Sequence, residues 1–141
     1  MSITPRFYPS AVKHMFDGSI NTNNTFKVAL LQDVAGAAYD GAHTTWSDVS
    51  ITEATGAGYT STGATITTVD ASYDTTKTSF TISEVMWEAL SAVFKNAVIY
   101  DATSGKLLMH LAFQFLQSPG GRDYILSAPS PVPTATPTVP A

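Results

Sequence analysis

The stretch from Thr25 to Asp101 decides the fold: TFKVALLQ (residues 25–32), TTWSDVS (44–50), ATGAGYTSTGATIT (54–67), MWEAL (86–90) and NAVIYD (96–101). Short apolar runs alternate with Gly, Asn, Asp, Ser and Thr punctuation, which is the pattern of strands joined by turns. In the first run Phe26, Val28 and Leu30 alternate with Lys27, Ala29 and Leu31, predicting a strand with one apolar and one mixed face. Further strands are expected near 46–52, over 63–69, around Phe80 and Ile82, around Val85 and Trp87, and over 93–100, 107–115 and 124–126. About eight short strands at this spacing make an all-β sandwich or barrel. DATSGK (101–106), between NAVIY and LLMHLAF, reads as a hairpin with Gly105 free to take positive φ. Residues 83–95 carry a competing signal, because Val85, Glu88, Ala89, Ala92 and Val93 also satisfy helical spacing.

The pattern divides the chain into three parts. Residues 1–24 form an arm with one short helix: Tyr8, Val12, Met15 and Phe16 share a helical face, Pro9 and Ser10 suit its start and Gly18 its stop. Residues 25–127 are the β body. Residues 128–141, APSPVPTATPTVPA, hold five of the eight prolines and read as an extended strap with no core of its own.

Composition narrows the function. The chain has 141 residues, 44% of them hydrophobic, enough for one packed core. Only 13% are Asp, Glu, Lys or Arg, against about 25% in ordinary soluble domains. A surface built from Thr, Ser, Asn and Gln is cheap to desolvate and suits close contact with other proteins. Net charge is −4 and the seven cations are scattered singly, which argues against nucleic-acid binding. Without cysteine there is no disulfide framework or thiolate site. No stretch approaches the ~18 apolar residues of a membrane helix, and SITPR after Met1 lacks the apolar core of a signal peptide.

No catalytic motif emerges. GAGYTSTG (56–63) has Ser61 where a dinucleotide loop needs its third glycine, and a strand follows where a helix would be required. His14, His43 and His110 lack ligand spacing, and Asp70 and Asp74 read as turn residues flanking Tyr73, so no metal or cofactor is expected. No serine sits in a nucleophile elbow, and the pair Glu84/Glu88 has no glycosidase context. Trp46, Tyr59, Trp87 and Tyr100 could make a sugar-stacking platform, but aromatic residues on strands more often fill a core. No small-molecule substrate is expected.

The order NTNNTFKVALL (21–31), HTTWSDVS (43–50), TGAGYTSTGATIT (55–67), Trp87 and AVIYD (97–101) before a hairpin resembles small virion structural proteins of tailed bacteriophages, namely head decoration or cement proteins. The resemblance covers about residues 17–115 and departs at 83–95 and in the proline-rich end. It implies a non-enzymatic, jelly-roll-like antiparallel β-sandwich that sits on the capsid surface, binds the major capsid protein and self-associates as a homodimer or homotrimer. It also implies synthesis in the host bacterial cytoplasm. A tail-fibre or baseplate module binding a receptor or glycan is the alternative. The candidate contact residues are Phe7, Tyr8, Val12 and Phe16 in the arm, and Pro129, Pro131, Val132, Pro133, Pro137 and Val139 in the strap.

Overall fold

The computed structural model describes residues 3–126 apart from 74, 76 and 77. The described residues are mostly β, with one α-helix among them. Strands β1 (Ile3–Phe7), β2 (Phe26–Leu31), β3 (Ala64–Ile66), β7 (Phe94–Asp101) and β8 (Lys106–Gln117) form an antiparallel sheet in the order β1-β8-β7-β2-β3. Strand β4 (Val69–Tyr73) pairs with β5 (Thr78–Ile82), and β6 (Val85–Leu90) pairs with β9 (Arg122–Leu126). Helix α1 (Pro9–Phe16) follows β1 directly and packs against β8.

The central strands of the five-stranded sheet are buried on both faces, and strand alternation shows how. Val28 and Leu30 of β2, Ala97 and Ile99 of β7, and Met109, Leu111 and Phe113 of β8 point into one core. Val85, Trp87 and Leu90 from β6 and Leu126 from β9 close that core as a second layer. The opposite residues, Ala29, Leu31, Val98 and Tyr100, enter a second core under Tyr8, Ala37 and Val49. A strand buried on both faces reads as a continuous apolar run rather than an alternation, which explains FKVALL and NAVIY. The expected mixed face of β2 carries half-buried Lys27 at its start, followed by buried Ala29 and Leu31.

The cover over that second face occupies the region expected as a strand near 46–52. Two short 3-10 turns, Trp46–Asp48 and Ser50–Thr52, stand there instead. Thr45 and Asp48 form a capping box, and Asp48 accepts hydrogen bonds from the amides of Thr44 (2.8 Å) and Thr45 (3.0 Å). These bonds hold the Asp48 carboxyl below its usual pKa. The Trp46 ring then stacks on Tyr100, centroids 4.7 Å apart and 8° from parallel. Local capping outweighs the weak β propensity of WSDVS.

Residues 83–95 form no helix. They make β6 and the start of β7, with Val85 and Trp87 buried while Met86 and Glu88 are exposed. Ala89 at φ 49° breaks the register, and Ser91 donates its amide to Ala57 O at 2.8 Å, docking the turn onto the glycine-rich loop.

Two hydrogen-bonded knots lock the loops. Asp101, fully buried, takes the amides of Thr103 (2.9 Å) and Ser104 (3.1 Å) and the Asn24 side-chain amide (2.6 Å), while Gly105 donates to Asp101 O at 2.7 Å. The expected hairpin is thus present, with Gly105 at φ 77°. Glu53 accepts from Tyr59 Oη (2.5 Å), Ser61 Oγ (3.2 Å) and the Thr62 amide (2.7 Å), and Tyr59 Oη in turn receives the Leu30 amide at 3.1 Å. Burial and the Glu53 hydrogen bond hold the Tyr59 phenol protonated far above its usual range. This knot presses the 56–63 loop onto β2 so closely that at Gly63, φ 96°, an added Cβ would lie 2.1 Å from Val28 O.

Strand β1 lies inside the stretch expected as an arm, disguised by Pro5. Tyr8 donates its amide to Leu108 O (3.1 Å), and the register pairs Arg6 with His110 and Pro5 with Leu111. Antiparallel alternation then turns the nitrogen of Pro5 toward the open edge, where no ladder bond is lost.

Candidate interaction surfaces

Among the described residues no three His, Cys, Asp or Glu side chains gather as a metal cage. Each histidine has a local structural setting. His14 is buried on α1, and His43 lies 3.8 Å from Asp40. His110 is buried on β8 with Nε2 2.9 Å from Ala37 O; a carbonyl can only accept, so Nε2 carries the proton. Tyr8 and Tyr39 stack at 5.4 Å beside it, and the Arg6 guanidinium lies 3.9 Å from the Tyr39 centroid. No hydrogen bond joins a histidine to a serine among the described residues. Glu84 and Glu88 are both exposed, the first just before β6 and the second on it.

The aromatic platform is dismantled by packing. Trp87 and Tyr100 are buried, Tyr59 is held by Glu53 and Leu30, and Trp46 has one face covered by Tyr100. The 56–63 loop opens into strand β3 and is filled by its own protein contacts.

No family model, curated protein or solved structure matches the chain. Reasoning about its role therefore rests on what its surface presents.

Of the arm residues proposed as contacts, Phe16 projects from the end of α1 with 90% of its surface exposed. Val12 is half-buried, and Phe7 is half-buried against the main core. Tyr8 is completely buried under the second core, so its ring serves the interior; its helical spacing with Val12 reflected packing inward. Pro129, Pro131, Val132, Pro133, Pro137 and Val139 lie outside the described residues.

Sequence reasoning missed several exposed apolar residues. Ile51, at the tip of the second 3-10 turn, is 89% exposed. Met86 and Ile125 are cross-strand partners on the outer side of the β6–β9 pair, and both are half-exposed. The largest group lies at the far end of β8. From the pair Phe94↔Gln117 to Asn96↔Ala112, β7 advances by two residues and β8 by five, so β8 carries three extra residues in a wide bulge. Within that bulge Phe115 is 61% exposed and Leu116 50%, and Leu116 lines a cleft with Val93 and Val34. The signal was visible in LAFQFLQ, where Phe115 and Leu116 are adjacent and cannot both occupy one face of a regular strand.

Edges offer less than faces. One edge of the five-stranded sheet carries Pro5 and the other is the three-residue β3, so strand addition to that sheet has little free ladder to extend. A cleft of about 200 Å³ between α1 and β4, lined by Met15, Ile20, Phe26, Val69 and Leu108, completes the set of apolar features.

Proposed function

We propose that this chain is a virion structural protein of a tailed bacteriophage, a decoration protein that binds the outer surface of the head and bridges neighbouring major capsid subunits. The observation that carries the reading is the contrast between interior and exterior. Carboxylate–amide knots at buried Asp101 and half-buried Glu53 fix the loops, while Phe16, Ile51, Phe115 and Leu116 stand exposed on a body with few charges. Exposing large apolar residues costs solubility unless a partner covers them. About residues 17–115 carry the phage-protein resemblance, and a jelly-roll-like sandwich is the body it implies.

Mechanically, a stiff body would touch one subunit through its face while the ends of the chain reach others. Several modest contacts on one rigid piece raise the effective concentration of each, so the assembly holds more tightly than any single contact. The test is cosedimentation of the purified chain with tail-less heads, which is expected to saturate at a fixed number of copies. Phe16→Asp is expected to lower occupancy without changing the melting temperature. Absence of binding to heads, with binding to isolated tails or to a glycan array, would favour the receptor-binding alternative.

A further inference from the structure

We propose that residues 33–43 form an acid-released flap over the second core, latched from beneath by His110. A 3-10 turn, Ala35–Ala37, sits at its middle. The backbone–backbone hydrogen bonds of the segment, from Ala37 to Val34 O, Ala38 to Ala35 O and His43 to Asp40 O, all close inside it, and none joins it to the rest of the described residues. Such bonds resume only at its ends, where Gln32 donates to Thr52 O (2.8 Å) and Leu107 to Thr44 O (3.0 Å). Between these anchors side chains fasten it: His110 Nε2 donates to Ala37 O at 2.9 Å, and Tyr39 Oη to Phe7 O at 3.4 Å. Ala37 is completely buried and His110 is 2% exposed, so lifting the flap wets both, together with the apolar sheet face at Leu31 and Val98.

The groups around the latch make it sensitive to protons. On β1, Arg6 is the cross-strand partner of His110, and its guanidinium stacks on Tyr39 of the flap. Tyr8 and Tyr39 pack edge-to-face with the imidazole, and β7 contributes only apolar Val98 opposite it. Burial, Arg6 and His43 keep His110 neutral against the pull of Ala37 O. The acids of the flap, Asp33 and Asp40, are exposed, and Asp40 lies 3.8 Å from His43, so that contact travels with the flap. A proton on His110 in the closed state therefore puts a buried cation beside Arg6 with only exposed carboxylates on the flap to offset it. In the open state the imidazole is hydrated and takes its proton near pH ~6.5. Opening is thus favoured as pH falls below about 6.5, by up to about tenfold per pH unit until the closed state is itself protonated.

Head attachment does not enter the test, which uses the full chain free in solution. The chain has no cysteine, so Ala37→Cys introduces a single buried thiol. Its rate of reaction with 4,4′-dithiodipyridine, divided by that of an unfolded peptide thiol at the same pH, measures opening. This ratio is expected to rise about thirtyfold from about pH 7.5 to about pH 5. At both pH values it is expected to exceed by at least about tenfold the ratio for Ala97→Cys, a position in the main core that only wider unfolding uncovers. Added to Ala37→Cys, His110→Gln keeps a donor for Ala37 O and is expected to flatten the rise to less than about threefold, whereas His43→Gln is expected to leave it in place. Arg6→Met, at an exposed edge position, serves as a second variant should His110→Gln not fold. Without the facing cation the closed flap takes its proton sooner, and the rise is expected to fall below about tenfold. A ratio indifferent to pH would overturn the proposal. So would equal labelling of Ala37→Cys and Ala97→Cys, a full rise that persists in His110→Gln or Arg6→Met, or one that disappears in His43→Gln.

Discussion

Replacing Gly63 with alanine measures how tightly the 56–63 loop is built into the sheet. The residue sits at φ 96°, where an L side chain costs about 1–2 kcal/mol in backbone strain alone. Its new Cβ would lie 2.1 Å from Val28 O, 2.7 Å from Val28 C and 2.9 Å from Ala29 Cα. These are backbone atoms of β2, which is paired with β7 along its other side, so they cannot withdraw. The loop must lift instead, weakening the pairing of β3 with β2 that seats Ile66 opposite Phe26. Overpacking of this kind adds about 1–3 kcal/mol, for a total of about 2–5 kcal/mol. Gly105→Ala is the control: it has φ 77° but nothing within 4 Å of the added carbon, so only the strain of about 1–2 kcal/mol applies. Urea unfolding of both variants separates the two contributions. At this chain length roughly 3 °C of melting temperature corresponds to 1 kcal/mol, so Gly63→Ala is expected to melt about 6–15 °C lower. A Gly63→Ala variant no less stable than Gly105→Ala would refute the close packing of loop on sheet.

Four further outcomes follow from the same geometry. Glu53→Gln removes a carboxylate that takes three hydrogen bonds, and is expected to cost about 1–3 kcal/mol and to speed amide exchange at Thr62; unchanged exchange would contradict the knot. Trp87→Ala is expected to cost about 3–5 kcal/mol by denaturant unfolding, and a wild-type midpoint would place the ring outside the core. Burial, with Arg6 and His43 adding, holds the His110 pKa below its usual value against the pull of Ala37 O; burial also pushes the Tyr124 phenol up to about 12. The unfolded chain thus takes a proton at His110 near pH 6.5 before the folded chain does, and loses one at Tyr124 near pH 10 first, so stability is expected to fall below ~6.5 and above ~10. Melting temperatures equal at about pH 7.5 and about pH 5 would contradict the buried neutral His110. Deleting residues 128–141 is expected to leave the melting temperature of the body unchanged and to reduce occupancy on heads; unaltered occupancy would remove the strap from the mechanism.

Much of the fold was legible because strand alternation and turn chemistry act locally. TFKVALLQ, NAVIYD and LLMHLAF gave three central strands, and DATSGK their hairpin, because Gly105 and the Asp101 side chain satisfy the turn themselves. What stayed hidden depends on partners distant in sequence. Pro5 argues against a strand until β8 is known to lie on only one side of it. WSDVS alternates acceptably as a strand, and only the capping by Asp48 and the stacking of Trp46 on Tyr100 make it a pair of turns. The contact residues were read less well for the same reason. Tyr8 and Phe16 share a helical face by spacing, yet one is enclosed by the 3-10 region and the other extends past the helix end. The bulge of β8 is a register effect between two strands, and a single strand's sequence carries it only as the adjacent Phe115 and Leu116.

Cryo-electron microscopy of intact particles of the phage to which the proposal assigns this chain tests the central claim most directly. The account expects copies in symmetric positions on the outside of the head, each spanning more than one capsid subunit, with the apolar surface around Phe16 or Ile51 buried in the contact. Heads bare of this density, with the protein confined to the tail or missing from the particle, would contradict it.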